Sequence, residues 1–250
     1  MKKLKTLLKL LASRDPLTRF ELLHFIGRRL VPNYRFLWPQ IEWWNDPQFN
    51  AYLKRFGEFD GMNSDRRWML SQLMRLVATV PGDTAECGVF KGAGSWVMCK
   101  ANRDHNAMAR THHVFDSFEG LSAPAEEDGN YWHAGALSCG LDSTAANLAE
   151  FGDRVVFHQG WIPDRFADVS ELQFAFVHID VDLYQPTRDS VEFFYPRMPA
   201  GGIILCDDYG FGTCPGARQA MDEFFSDKPE KVISLPGGGG FILKGVPTVA

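Results

Sequence analysis

The sequence contains no apolar run that approaches the roughly 18 residues of a membrane span, so we expect no integral membrane segment. Its N-terminus does not fit a signal peptide, because Lys9 interrupts the apolar stretch and no small-residue cleavage pattern follows. The leucines at 4, 7, 8 and 11 follow helical spacing and predict an amphipathic helix that packs on its own domain or on a second subunit. Contact of residues 1–14 with a membrane surface is the open alternative.

The cysteines lack any C-x-x-C pair, and their number, five, is odd. Both facts favour reduced thiols and a cytoplasmic protein over a disulfide framework. Basic residues are also in the minority, with 26 Lys and Arg against 31 Asp and Glu and a net charge of −5. We therefore expect no nucleic-acid partner, because phosphate binding requires clustered positive charge.

From residue 83 onward, short apolar runs alternate with helical segments, which predicts a parallel sheet with helices on both faces. The predicted strands are 83–90, 112–116, 154–159, 174–180, 201–207, 231–235 and 240–244. The predicted helices lie near 93–103, 143–151, 186–198 and 215–226. The PGGGG link between the last two strands is too short for a parallel crossover, so they should form an antiparallel hairpin. The prediction is an α/β fold with a seven-stranded, mostly parallel sheet.

The first part of the chain, residues 1–80, has helical patterns and many aromatic residues, which predicts an N-terminal helical extension to a domain at 81–250. One helix should run from Asp15-Pro16 towards Pro32, and another from Asn63 or Ser64 to a point before Pro81.

Two further features concern surfaces. The connection at about 117–140 is longer than usual, which predicts a functional loop or lid. The N-terminal leucines and the aromatic cluster Trp38, Trp43 and Trp44 predict a homodimer or higher homo-oligomer, since exposed apolar patches usually find a partner.

A glycine-rich turn, ECGVFKGAGS, follows the first predicted strand. Gly88, Gly92 and Gly94 allow close approach of a ligand, and the following helix offers its N-terminal N–H groups. The turn is neither a P-loop, since no Lys-Ser/Thr pair follows, nor a G-x-G-x-x-G motif. Glu86 suits a ligand with a cationic amino group better than a pyrophosphate. The alternative is that these glycines serve packing and Glu86 forms a surface ion pair.

Polar residues also end the second and third predicted strands. Asp116 can accept both hydroxyls of a ribose, because ligands of open parallel sheets bind outside the carboxyl ends of the strands; a helix cap is the alternative. Gln159, Gly160 and Trp161 follow the third strand and are predicted to border an adenine, although Trp161 suits the core equally well.

Two pairs of aspartates end the fourth and fifth predicted strands, which should be neighbours in the sheet. Asp180 and Asp182 form one pair, and Asp207 and Asp208 form the other. Such carboxylates would repel each other without a counter-charge, and oxygen ligands favour Mg²⁺ or a similar hard cation over zinc. Helix caps or salt bridges remain an alternative explanation.

From about residue 60 to 244 the chain resembles the macrocin O-methyltransferase (TylF/MycF) family. The resemblance is carried, in order, by PGDTAECGVFKGAGS, FDSFEGL, GWIPD, VHIDVDLYQPT, MPAGGIILCDDYG and GARQAMDEFF. It implies a class I, Rossmann-like methyltransferase fold, S-adenosylmethionine and Mg²⁺ as cofactors, and methylation of a sugar hydroxyl on a glycosylated natural product or glycan. In that family the N-terminal region and the lid shape the acceptor pocket and the dimer.

The resemblance also implies roles for individual residues. The metal ligands would be Asp180, Asp207 and Asp208, and the catalytic residues Asp182, as general base, and Asp180. A histidine, His133 of the predicted lid, is the alternative base. The predicted cofactor-binding residues are Glu86, Cys87, Gly88, Phe90, Gly92, Ser95, Asp116, Ser117, Gln159, Gly160, Trp161 and Asp180.

Two other functional classes stay open at this stage. A metal-dependent glycosyltransferase also uses an Asp-x-Asp pair, but that function explains neither the glycine turn nor the second acid pair. A non-catalytic cofactor-binding assembly domain would be expected to lack the acids at the fourth and fifth strand ends, and these are present.

Overall fold

The structure, a computed structural model, describes residues 13–31, 41–59, 63–105 and 110–249. The chain divides into two compact units, Met1–Phe59 and Asp60–Ala250. This division lies earlier in the chain than the boundary predicted at residue 80, because helix Ser64–Leu76 packs against another helix of the second unit. The predicted leucine helix within residues 1–14 and the side chain of Trp38 lie outside the described residues.

The first unit contains helix α1 (Pro16–Leu30) and helix α2 (Pro47–Phe56). Each starts at an Asp-Pro pair, in which the carboxylate of Asp15 or Asp46 accepts a hydrogen bond from a backbone N–H three residues later. The sequence predicted α1 but left the region of α2 unassigned. No helix among the residues described has the length and apolar character needed to cross a membrane.

The second unit is built on a seven-stranded sheet with the order β3-β2-β1-β4-β5-β7-β6. Its strands are β1 (Asp83–Cys87), β2 (His112–Asp116), β3 (Val155–Gln159), β4 (Phe174–Ile179), β5 (Ile203–Cys206), β6 (Ile233–Ser234) and β7 (Gly240–Leu243). Its helices are α3 (Ser64–Leu76), α4 (Ala93–His105), α5 (Leu141–Leu148), α6 (Tyr184–Phe194) and α7 (Pro215–Phe224). β1 to β5 pair in parallel, and β7 is antiparallel to both β5 and β6, which confirms the predicted fold and hairpin.

Several element boundaries differ from the prediction. β1, β4 and β5 stop before the residues that carry the polar motifs, so the glycine turn and the aspartates lie in loops. α6 begins before Pro186 rather than at it, because proline in the first turn of a helix gives up no intrahelical hydrogen bond. α5 starts and ends earlier than predicted and is followed by a 3₁₀ segment, Ala149–Arg154.

Alternate residues of the strands face two separate hydrophobic clusters. Phe115 of β2 packs on one side with residues of α6 and α7, such as Val191 and Met221. Its neighbour Val114 packs on the other side with Leu148 of α5. The sheet is therefore covered on both faces, as expected for parallel strands.

A small polar network is buried beneath α4. His112, which is 1% exposed, lies with Nδ1 2.9 Å from Thr84 Oγ1 and with Nε2 2.9 Å from Ser95 Oγ. Asn102 donates a hydrogen bond to the same Thr84 oxygen. Burial lowers the pKa of His112 to about 4, so the folded protein holds this imidazole neutral.

This histidine should make stability depend on pH in a defined window. The unfolded chain takes up a proton near pH 6.5 and the folded chain only near pH 4, so His112 stabilises the fold fully above pH 6.5 and loses that contribution as pH falls towards 4. The loss amounts to at most about 3 kcal/mol. Urea unfolding of wild type and His112→Gln across this range should show a difference in unfolding free energy that shrinks as pH falls. A difference independent of pH would contradict the assignment.

Candidate active site

The candidate site lies at the carboxyl ends of β1, β2, β4 and β5. The strand order reverses between β1 and β4, which is where open α/β sheets bind ligands. Backbone hydrogen bonds continue past the strand ends: Asp180 N–H donates to Cys87 O, and Asp207 N–H donates to Ile179 O, each at 2.8 Å. These bonds bring the glycine turn and both aspartate pairs to one edge.

Each glycine of the turn has a close protein neighbour. Gly88 has φ +77°, and a Cβ there would overlap the carbonyl oxygen of Asp180. A Cβ on Gly94 would overlap the carboxylate of Glu86, and one on Gly92 (φ +85°) would press on α5. The turn is thus shaped by contact with the β4 loop and with Glu86, whatever ligand it also receives.

Glu86 of β1, His178 of β4 and Asp207, which follows β5, form a chain of side-chain contacts. Glu86 is 1% exposed; Ser95 Oγ donates to one of its oxygens, and the other lies 2.7 Å from His178 Nδ1. His178 Nε2 lies 3.5 Å from Asp207 Oδ1. Burial disfavours the imidazolium, but the nearby carboxylates of Asp207 and Glu86 outweigh it and raise the pKa of His178 to about 10. Since both Glu86 oxygens are engaged by protein groups, its direct contact with a cofactor stays a prediction.

Asp116 links the glycine turn to the loop after β2. Its carboxylate accepts hydrogen bonds from the N–H groups of Val89 at 2.7 Å, Phe118 at 2.6 Å and Phe90 at 3.4 Å. Burial raises the pKa of Asp116. Because a carboxylate has about four acceptor positions, these bonds leave capacity for a ligand hydroxyl.

The other residues of the predicted cofactor set divide by exposure. Gln159 and Trp161 are exposed at the end of β3, and Phe90 is exposed on the glycine turn. Cys87 and Ser95 are buried below that turn. Two others lie in loops: Ser117 Oγ donates to Gly120 O, and Gly160 N–H donates to Asp116 O. Asp180, the last of the set, belongs to the acid cluster.

The three predicted metal ligands surround a cation of the chain itself. Arg66 of α3 places Nη2 in direct hydrogen-bond contact with Asp207 Oδ2. The same nitrogen lies 3.5 Å from Asp208 Oδ1 and 3.7 Å from Asp180 Oδ1. Arg67 Nη1 lies 3.6 Å from oxygens of both Asp180 and Asp207. Three carboxylate oxygens therefore converge on one point that already holds positive charge.

The arginines do not neutralise the cluster evenly. Burial opposes ionisation of Asp207, but the charges of Arg66 and His178 hold its pKa well below the usual range. Burial, reinforced by Asp182 and Asp180, raises the pKa of Asp208 well above it. Positive charge therefore compensates the burial of Asp208 less than that of Asp207.

Asp182 occupies a strained and enclosed position. Its φ of +59° is unusual for a residue other than glycine, and its N–H donates to Asp208 Oδ2 at 2.9 Å. The thiol of Cys214 donates to its Oδ1 at 3.3 Å, and Trp132 Nε1–H donates to that sulfur at 3.3 Å. Burial raises the pKa of Asp182 to about 6. The segment 117–140 thus contacts the candidate base through Cys214.

Sequence reasoning missed four residues of this site: Arg66, Arg67, His178 and Cys214. The sequence carries a signal only for His178, which interrupts the apolar strand FAFVHI opposite Glu86. The arginines looked like the polar face of a helix, and Cys214 looked like an ordinary reduced thiol.

The seven-stranded sheet has the fold of class I O-methyltransferases. The sequence model of the Macrocin-O-methyltransferase (TylF) family matches residues 62–233, and the chain belongs to this family. A crystal structure of a calicheamicin methyltransferase is similar with a TM-score of 0.66 at 19% identity, covering 98% of this chain and 93% of that one.

Two bacterial enzymes are similar in sequence. The chain is 35% identical over 155 residues to the 8-demethyl-8-(2,3-dimethoxy-alpha-L-rhamnosyl)-tetracenomycin-C 4'-O-methyltransferase of Streptomyces olivaceus, which covers 58% of each chain. It is 31% identical over 176 residues to the demethyldecarbamoylnovobiocin O-methyltransferase of Streptomyces niveus. This alignment covers 64% of this chain and 65% of that enzyme. The match therefore spans less than two thirds of either relative.

The close approach at Gly88 predicts a large effect of one added methyl group. Gly88→Ala should combine an unfavourable backbone conformation with a clash against Asp180 O and destabilise the protein by several kcal/mol. Gly135→Ala is a matched control, since Gly135 has φ +79° and open space around it, and should cost about 1 kcal/mol. Urea unfolding compares the two, and equal costs would show that the approach of the β4 loop is unimportant.

Proposed function

We propose that the protein transfers a methyl group from S-adenosylmethionine to a hydroxyl of a sugar, on a glycosylated natural product or glycan. One observation carries this proposal: the family's glycine turn, a buried acid cluster and the enclosed Asp182 all lie at the same edge of the sheet. The two bacterial relatives, an O-methyltransferase named for a rhamnosyl tetracenomycin and one named for a novobiocin precursor, support the acceptor class.

The residues at the ends of β1 to β3 fit the cofactor. Asp116 retains acceptor capacity for ribose hydroxyls, and exposed Trp161 and Gln159 offer a surface for the adenine. Asp180, whose pKa burial and Asp207 raise to about 7, would be stabilised by a nearby cationic group. Bound S-adenosylmethionine supplies an electrophilic methyl group on a sulfonium centre. The described residues contribute binding and orientation, which methyl transfer to oxygen requires.

The acid cluster fits a hard divalent cation. Asp180, Asp207 and Asp208 contribute oxygen ligands that already converge on one cationic nitrogen, and oxygen is the ligand that Mg²⁺ prefers. Mg²⁺ held there would supply Lewis acidity to the acceptor hydroxyl and fix its position. His178 would orient Asp207 from behind, as residues that hydrogen-bond to metal ligands do.

Asp182 is the proposed general base. It lies next to the metal ligands but accepts its hydrogen bond from a thiol rather than an arginine, so its carboxylate is stabilised less than that of Asp207. Its backbone N–H fixes its position on Asp208. A base held in this way is suited to take the proton of the acceptor hydroxyl.

The segment 117–140 would cover the acceptor. Trp132 is held at Cys214, and the neighbouring Tyr131 is 64% exposed, with its ring edge-on to Trp132. An exposed aromatic ring on this segment is suited to stack on a sugar face. The roles of residues 1–80 in the acceptor pocket and in a homo-oligomer, and a cytoplasmic location, stay predictions.

Replacing the proposed base, Asp182, should lower turnover without weakening cofactor binding. Asp182→Asn should lower turnover by roughly 10²–10⁴-fold, because the amide cannot accept the proton, while S-adenosylhomocysteine binding changes little. Turnover is measured as methyl transfer from labelled S-adenosylmethionine in the presence of Mg²⁺.

The control for this measurement is Asp189→Asn on α6, where Asp189 accepts a hydrogen bond from Gln185 away from the acid cluster. It should leave turnover unchanged. Wild-type turnover in Asp182→Asn would remove Asp182 from the role of base.

Calorimetry with S-adenosylhomocysteine tests the cofactor part of the proposal. Binding should be micromolar with and without Mg²⁺, both in wild type and in Asp207→Asn, because the cofactor residues lie mainly at β1 to β3. Asp207→Asn should lose turnover, since it weakens the metal site.

A nucleotide sugar titrated under the same conditions provides the contrast. Binding of the nucleotide sugar with no binding of S-adenosylhomocysteine would overturn the methyltransferase proposal in favour of a glycosyltransferase.

A further inference from the structure

Arg66 occupies the centre of the acid cluster, where a divalent ion would lie. Its Nη2 is the only atom among the described ion pairs that lies within 3.7 Å of all three carboxylates. An Mg²⁺ ion lies about 2.0–2.1 Å from its oxygen ligands, so this nitrogen and the ion cannot share the place. Two positive groups so close together would also repel strongly in a buried site.

The guanidinium of Arg66 makes fewer hydrogen bonds than its burial would suggest. The Arg66 side chain is 13% exposed, yet its Nε has no hydrogen-bond partner among the described residues. Buried arginine donors normally form hydrogen bonds. The observed position therefore compensates the charge of the carboxylates but leaves one arginine donor without a hydrogen bond. Its other nitrogen, Nη1, makes only a long hydrogen bond of 3.3 Å to Asn63 Oδ1.

A second support for the guanidinium lies outside the cluster. Arg66 Cζ lies 4.7 Å from the centroid of the Phe211 ring, a cation–π distance. The ring itself is fixed, because it packs so tightly on Gly238 that a Cβ there would overlap it. The guanidinium therefore has one favourable contact that does not involve the carboxylates.

We propose that Arg66 is an internal counter-ion that holds the divalent-ion position among Asp180, Asp207 and Asp208, so that metal binding is an exchange in which the guanidinium leaves. This inference rests on the divalent ion of the proposed function. The exchange reduces the apparent metal affinity, because only molecules in which the guanidinium has withdrawn can bind. If fewer than about one molecule in ten is open in this way, the apparent dissociation constant is raised about tenfold or more.

The test measures binding of Mn²⁺ alone by electron paramagnetic resonance, with Mn²⁺ as the probe for Mg²⁺. Arg66→Met should bind Mn²⁺ about tenfold more tightly than wild type. Arg67→Met is the matched control, because Arg67 loses the same charge at 3.6 Å from two of the carboxylates without vacating the centre. It should raise the affinity by a clearly smaller factor, and equal gains in both variants would overturn the exchange by showing a general charge effect.

Arg66→Lys keeps the proposal testable if Arg66→Met does not fold. The lysine retains the charge that the buried carboxylates need, but its ammonium ends short of the guanidinium position. It should bind Mn²⁺ more tightly than wild type, and an affinity equal to wild type would contradict the exchange.

Thermal unfolding gives a second readout. Arg66→Met without metal should have a lower Tm than wild type, because the carboxylates lose compensation, and Mn²⁺ should raise its Tm by more than it raises that of wild type. Absence of Mn²⁺ binding in wild type and in all variants would overturn both this inference and the metal part of the proposed function. Equal Mn²⁺ binding in all of them would overturn the exchange alone.

Discussion

The burial of carboxylates at the ends of β4 and β5 is the constraint on which the rest of the site depends. The side chains of Asp207 and Asp208 are each 4% exposed, and removing a carboxylate from water costs several kcal/mol unless positive charge compensates it. Arg66 and Arg67 provide that charge. Helix α3 therefore forms ion pairs with a sheet edge that lies far from it in sequence. His178 provides more from within the sheet. The acid cluster is therefore compensated by positive groups from both a helix, α3, and a strand, β4.

The glycine turn and the acid cluster are parts of one structure. Glu86 and Asp207 are joined through His178, and the backbone of Gly88 lies directly against the carbonyl of Asp180. A displacement of the β4 loop would thus be transmitted to the glycine turn through atoms in contact. For a reaction that requires donor and acceptor in line, such a shared support preserves the geometry that positioning demands.

The sequence predicted the seven strands, the terminal hairpin and the meeting of the acids, because these follow from local periodicity and from the rule that parallel strands end at a common edge. It did not predict Arg66, which reaches Asp207 across 141 residues of chain. Side-chain contacts of that kind depend on the packing of α3, which no local pattern encodes. The same holds for Cys214, whose thiol became informative only once it was found beside Asp182.

Spacing along the chain also fails to explain how the acids differ. Asp180 and Asp182 would face the same way in a continuous strand, but β4 ends at Ile179, and the left-handed φ of Asp182 turns its carboxylate towards Cys214. Asp207 and Asp208 are adjacent, yet their pKa values shift in opposite directions, because burial is outweighed by the charges of Arg66 and His178 at Asp207 but reinforced by Asp182 and Asp180 at Asp208. Opposed shifts within one cluster are typical of sites that divide roles between similar groups. Asp208 combines a raised pKa with a structural contact, because its Oδ2 accepts the hydrogen bond from the backbone N–H of the proposed base Asp182.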